Sequence, residues 1–294
     1  MDGLLILDKP SGMTSHDVVG RLRKITGERS IGHLGTLDPM ATGVLPLLLG
    51  RFTRLAQYFS SAEKCYTGTI RFGFATTTYD FEGEAVGEDC GPHLKLYLET
   101  LRKLASRFHG VMDQMPPAFS AKKINGTPAY KLAREGKPVE LKTARIEILD
   151  FQLTALDGLE ASFSMRISAG GYVRSVAHEL GADLGCGAHL TSLRRTQAGV
   201  FTLDEAIQLD DLQSLAGDLP GLEALCLHPR SILPEMPAVT ADLASLSRLR
   251  NGAQANLAEF SRAPMVKVFA DQRELACVAK RVAGTLFQPV AVLK

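Results

Sequence analysis

Four apolar residues in a row, Leu4-Leu5-Ile6-Leu7, follow Gly3 and run into Asp8-Lys9-Pro10-Ser11-Gly12, which predicts a buried strand ending in a turn. Val18, Val19, Leu22 and Ile25 recur at helical spacing; Thr14 or Ser15 can cap that helix and Gly27 can end it, so residues 16–26 are predicted helical. Residues 32–43 carry three glycines and a proline and read as a loop, after which 44–49 resumes a buried element. Residues 66–74 alternate as a strand does, with Tyr66, Gly68, Ile70, Phe72 and Phe74 on one side. Leu94, Leu98, Leu101, Leu104 and Phe108 predict a helix over 94–108, and Met115-Pro116-Pro117 breaks the chain. A short basic helix over 128–135, strands over 141–153 and 161–168, and an amphipathic helix over 172–184 follow. The acidic stretch 201–224 reads as a solvated helix. Three prolines in 228–237 suggest a linker, and short strands at 265–269, 274–280 and 285–293 suggest a small β domain. Helices and strands that do not alternate cleanly point to an α+β fold.

A length of 294 residues with 45% apolar and 22% charged positions fits a large domain plus a small one, with ample core. The net charge of +1 hides an asymmetry. Residues 102–147 hold ten Lys or Arg against four acids, whereas 201–242 hold eight acids against Arg230 alone. The basic segment could face a phosphate backbone or simply water. The five cysteines form no C-x-x-C pair, which argues against a zinc site and for reduced thiols in the cytoplasm. No signal peptide is visible, and the apolar runs are too short to span a membrane. No G-x-G-x-x-G or G-K-[ST] loop supports a dinucleotide or nucleotide enzyme.

The densest chemical signal is Gly32-His33-Leu34-Gly35-Thr36-Leu37-Asp38-Pro39-Met40-Ala41-Thr42-Gly43-Val44-Leu45. Its glycines allow close backbone approach, and Asp38 is the one carboxylate in it. Taken alone, an Asp before Pro is a turn residue. The run, however, closely resembles the catalytic motif of the TruB family of pseudouridine synthases. In the family's order, Lys9-Pro10-Ser11-Gly12, Lys64-Cys65-Tyr66 with Gly68, Gly170-Gly171-Tyr172-Val173-Arg174 and His189-Leu190-Thr191-Ser192-Leu193-Arg194-Arg195 resemble its other motifs, with Gly171 where the family usually has Thr.

The resemblance implies a catalytic domain over residues 1–230, built on a mixed, largely antiparallel sheet flanked by helices, and a PUA-like RNA-binding domain over 238–294. It implies isomerisation of a T-loop uridine (uridine 55) of tRNA without cofactor or metal. Asp38 would be the catalytic carboxylate, Arg174 its cationic partner and Tyr66 the surface on which the flipped base stacks. Tyr172 and Leu193 would cover the base, and His33 would wedge into the T loop. Lys9 would either touch phosphate or support the loop. Lys122 and Lys123, with Lys131, Arg134 and Lys137, are candidates for backbone contacts. The expected partner is the T arm of tRNA, with no obligate protein partner, no membrane, a monomeric state and a cytoplasmic location. Two other readings stand beside this: the RNA-guided pseudouridine synthase of archaea and eukaryotes, and a tRNA-binding or folding protein without catalysis.

Overall fold

The computed structural model describes residues 1–293 except 121, 125, 138 and 140, and except the side chains of Lys123 and Arg134. Ten strands form one sheet: β1 (Gly3–Lys9), β2 (Ile31–His33), β3 (Thr42–Leu49), β4 (Lys64–Phe72), β5 (Gly110–Gln114), β6 (Ala144–Asp157), β7 (Glu160–Ile167), β8 (Ala188–Ala198), β9 (Phe201–Thr202) and β10 (Ile207–Gln208). The order is β10-β1-β3-β8-β4-β7-β6-β5, with β2 added to β3 and β9 to β8. β1 runs parallel to β10 and β8 parallel to β3; every other pair is antiparallel. β3 and β4 neighbour each other in sequence, yet β8 lies between them.

The apolar run in β1 is explained by burial on both faces. Leu5 and Leu7 share one cluster with Val18 and Leu22 of helix α1 (Ser15–Thr26), Leu101 of α2 (Leu98–Ala105), and Val176 and Leu180 of α4 (Val173–Leu184), which follows the short helix α3 (Ala129–Arg134) in the chain. Leu4 and Ile6 point the other way, onto Val44, Leu48, Phe52 and Leu55 and onto Phe269, Leu275 and Leu293 from the C-terminal part. Helix α1 begins at a full capping box between Thr14 and Asp17 and ends on Gly27 in the left-handed conformation, as its sequence predicts.

Three expectations change. The helix expected over 94–108 is regular only over Leu98–Ala105; a 3₁₀ turn over Gly91–His93, with Pro92 in it, precedes it, and another over Ser106–Phe108 follows. The acidic stretch splits into β9, β10 and two six-residue helices, α5 (Leu209–Ser214) and α6 (Leu219–Ala224), with Gly217 at positive φ and Pro220 interrupting it. The proline-rich stretch is packed in place: Ile232 and Leu233 are buried, and the fully buried Lys267 donates to the carbonyls of Arg230 and Ile232.

The C-terminal part comprises β11 (Ala238–Thr240), α7 (Leu243–Arg250), β12 (Ala255–Asn256), β13 (Met265–Phe269), β14 (Leu275–Ala283) and β15 (Leu286–Val292). Its five strands follow the order β11-β13-β14-β15-β12 around a small core of their own. The whole is an α+β fold. Among the described residues no helix is long and apolar enough to cross a membrane.

Candidate active site

The loop joining β2 to β3 is fixed largely through its backbone, which lets one side chain stay free. The Ser15 hydroxyl, at the start of α1, accepts from the Leu37 amide (2.8 Å) and donates to its carbonyl (3.2 Å). The Gly12 amide and the Lys9 ammonium both reach the Pro39 carbonyl, at 2.9 and 3.2 Å. From the far side Arg195 of β8 donates to the carbonyls of Val44 (2.7 Å) and Gly35 (3.0 Å). Leu37, Met40 and Ala41 are buried beneath. Gly43 has φ of 102°, and a Cβ there would sit 2.1 Å from the Arg195 carbonyl, so only glycine lets β3 and β8 approach.

Asp38 projects from this frame into a cavity of about 230 Å³ that Tyr66, Tyr172, Arg174 and Leu193 also line. Arg174, in the first turn of α4, donates to Asp38 Oδ1 at 2.8 Å; its side chain is 4% exposed and that of Asp38 is 30% exposed. The same guanidinium donates to the carbonyls of Thr78 (2.8 Å) and Phe119 (2.9 Å) and lies 3.5 Å from Asp80 Oδ2. The buried charge is therefore surrounded by acceptors, and its fork is held in one orientation. Burial pushes the Asp80 carboxyl up, against the pull of the Thr78 hydroxyl and Arg174.

Tyr66 and Leu193 arrive from neighbouring strands. Arg195 pairs with Tyr66 and Leu193 with Gly68, so Tyr66 and Leu193 are diagonal neighbours on one face. A Cβ at Gly68 would meet the Ser192 carbonyl at 2.3 Å, which explains the glycine. Tyr172 is held by its backbone: the buried Gln114 amide accepts from Tyr172 N–H (2.8 Å) and donates to its carbonyl (3.0 Å). Burial raises the Tyr172 phenol. At Gly171 a Cβ would fall 2.3 Å from Ile167 Cδ1, so the isoleucine fills the space a larger residue would need.

The remaining expected residues lie elsewhere. Lys9 is fully buried, donating to Pro10 and Pro39, and burial pushes its ammonium down to about 8 although Asp38 and Glu82 oppose this. His33 sits on β2 and does not line the cavity; burial, with the Arg195 charge, lowers its imidazole. Lys122 donates to the Lys142 carbonyl at 2.8 Å. The side chains of Lys123 and Arg134 lie outside the described residues. Lys131 lies on α3, and Lys137 pairs with Glu135. Sequence reasoning missed Asp80, Gln114 and the bracing role of Arg195. The stretch Thr77-Thr78-Tyr79-Asp80-Phe81-Glu82-Gly83 looks like an exposed turn, and nothing in its pattern shows that Asp80 is buried.

The site is thus a carboxylate paired to a buried arginine, on a glycine-framed loop and at a cavity lined by two tyrosines. The family model of TruB family pseudouridylate synthases (N terminal domain) matches residues 23–173, and that of the tRNA pseudouridylate synthase B C-terminal domain matches 174–221. The tRNA pseudouridine synthase B of Solibacter usitatus is 41% identical over 296 residues, the whole of both chains. That of Geobacter sulfurreducens is 41% identical over 252 residues, 86% of this chain and 82% of its own. The chain belongs to the TruB family of pseudouridine synthases, which are isomerases. In fold it resembles a Cbf5-Nop10-Gar1 complex (25% identity, TM-score 0.71, 99% of this chain and 85% of that one) and the archaeal box H/ACA sRNP Nop10-Cbf5 complex (23%, 0.69, 99% and 86%).

Proposed function

We propose that this protein isomerises one uridine in the T loop of tRNA, uridine 55, to pseudouridine, with Asp38 as the catalytic carboxylate. The observation that carries the reading is the Asp38–Arg174 pair at 2.8 Å, poised over a cavity walled by Tyr66 and Leu193. In the reaction the bond from ribose C1′ to N1 breaks and one from C1′ to C5 forms; the C5 proton leaves and N1 gains one. Arg174 holds the Asp38 carboxylate in place by a charge-assisted hydrogen bond as the base closes off water. Tyr66, which lines the cavity, supports the flipped base, and its phenol assists removal of the C5 proton. Tyr172 and Leu193 cover it. Full burial of Lys9 favours support of the loop over contact with RNA. His33 is assigned to the T loop, and Lys122 and Lys123 to its phosphates. Residues 1–230 carry the chemistry and 238–294, PUA-like, help to hold tRNA. We assign the protein to the cytoplasm, working as a monomer without guide RNA or protein partner. The full-length likeness to the tRNA pseudouridine synthase B of Solibacter usitatus supports this over the RNA-guided reading.

Purified protein incubated with unmodified tRNA alone tests the reading by pseudouridine mapping. One new pseudouridine in the T loop is expected. Conversion that needs an added guide RNA, or none at all, overturns it.

A further inference from the structure

Lys64 has no part in the roles above, yet it lines the same cavity as Asp38. It opens β4, two residues before Tyr66, and so leaves the strand on the same face. Its ε carbon passes 3.8 Å from the point a Cβ would occupy on Gly35, at the start of the catalytic loop, and Arg195 Nη1 lies 3.4 Å from that point. Two cations therefore flank Gly35. Among the described residues neither forms an ion pair with a carboxylate. Among the described residues Asp38 is the one acid lining the cavity, and it is held by Arg174. Burial, and after it the Arg195 charge, lower the Lys64 ammonium.

The two differ in what they have left to give. Arg195 is 1% exposed and spends its fork on the carbonyls of Val44 and Gly35. Lys64 is only half-buried and donates to the Ala62 carbonyl, which leaves two of its three N–H groups. A uridine in an RNA chain carries a phosphate on either side of its ribose. With the base against Tyr66 and the ribose at Asp38, one of those phosphates comes to the mouth of the cavity.

We infer that Lys64 binds a phosphate flanking the flipped uridine, with buried Arg195 behind it reinforcing the field; this rests on the reading that uridine occupies the Asp38 cavity. The contact is a binding one, separate from the basic segment over 102–147, and it fixes the nucleotide that reacts.

The test measures both binding and single-turnover conversion of a T-arm hairpin, at several salt concentrations. Lys64→Gln is expected to raise the half-saturating concentration roughly tenfold, more than it lowers the plateau rate. It should also reduce the salt slope of binding by about one unit, the mark of one lost phosphate contact. Lys64→Arg should retain the slope, and circular dichroism checks the fold of both. A neutral methylphosphonate placed before or after the target uridine supplies the partner half of the cycle. At one of the two positions it should weaken wild-type binding as much as Lys64→Gln does, and add little to that variant. An unchanged slope in Lys64→Gln, or methylphosphonate losses that add in full at both positions, overturns the inference. A wild-type protein that binds the hairpin without converting it overturns the functional reading instead, while the binding cycle still decides on Lys64.

Discussion

The arrangement of Arg174 sets how Asp38 variants must behave. Its guanidinium is held by two backbone carbonyls as well as by Asp38, so the cation stays in place when the carboxylate is altered. Asp38→Asn is expected to abolish conversion while tRNA still binds. Asp38→Glu moves the charge by one methylene, and a misplacement of about 1 Å can cost roughly 100-fold in rate. Arg174→Lys keeps a charge but cannot serve three acceptors in a plane, so it should lose rate more than affinity. Single-turnover assays with tritiated uridine, with deamidation excluded by mass spectrometry, read all three; substantial product from Asp38→Asn removes Asp38 from its role. Lys9 gives a pH signature. Its ammonium releases its proton near pH 8 when folded, against 10.5 as an ordinary lysine. Between those values the unfolded chain holds more protons, so this group makes stability rise with pH across the window. Urea midpoints at pH 7.5 and 10 should show that gain in the wild type and not in Lys9→Met. Asp38 was legible because its glycine-rich run is distinctive. Asp80 was not, since a buried acid in a threonine-rich turn looks no different from a solvated one until the arginine from almost 100 residues away is beside it.

Single elements succeed where their signals are local. The capping box of α1 and the alternation in β4 are written in a few adjacent residues, and both elements form within two residues of where the pattern puts them. β5 was missed because an edge strand with Val111 exposed and Gln114 buried reverses the usual alternation. That buried glutamine has a measurable consequence. Gln114→Leu leaves the Tyr172 amide without its partner and its carbonyl with the Val176 amide alone, at 3.3 Å; the orphaned amide is worth about 1–3 kcal/mol if it stays dry. Destabilisation by denaturant and weaker RNA binding should appear together; an unchanged affinity would show that Tyr172 does not depend on this clamp. At Gly43 the demand is steric. Gly43→Ala must resolve a 2.1 Å contact with the Arg195 backbone at positive φ, and a loss of more than about 2 kcal/mol is expected in equilibrium unfolding.

At the scale of the molecule, the sequence pattern marks a C-terminal group of strands and a proline-rich joint, but patterning carries no record of which faces meet. Phe269, Leu275 and Leu293 lie in one apolar cluster with Leu4, Ile6, Val44 and Leu48. Cutting the chain near residue 238 would bare that face of β1 and β3, at about 1.5–3 kcal/mol for each large side chain. A truncated protein is expected to unfold or aggregate unless Leu4, Ile6 and Leu48 are made polar with it; a soluble truncation with an intact melting transition would contradict the shared core. Strand order was likewise hidden, because pairing β8 between β3 and β4 joins residues more than 100 apart. That insertion has a consequence during synthesis. As the chain leaves the ribosome, β3 and β4 emerge early, each with a bare edge, and neither can close on the other. Both wait for a strand made roughly 120 residues later, at about 5–20 residues per second. The half-made sheet is thus open on two inner edges for many seconds, a natural customer for a chaperone that covers unpaired strands. Until Arg174 has also emerged and α4 has docked, the nascent protein holds Asp38 without its cationic partner, so on the function proposed above it is not yet able to modify RNA while still being made.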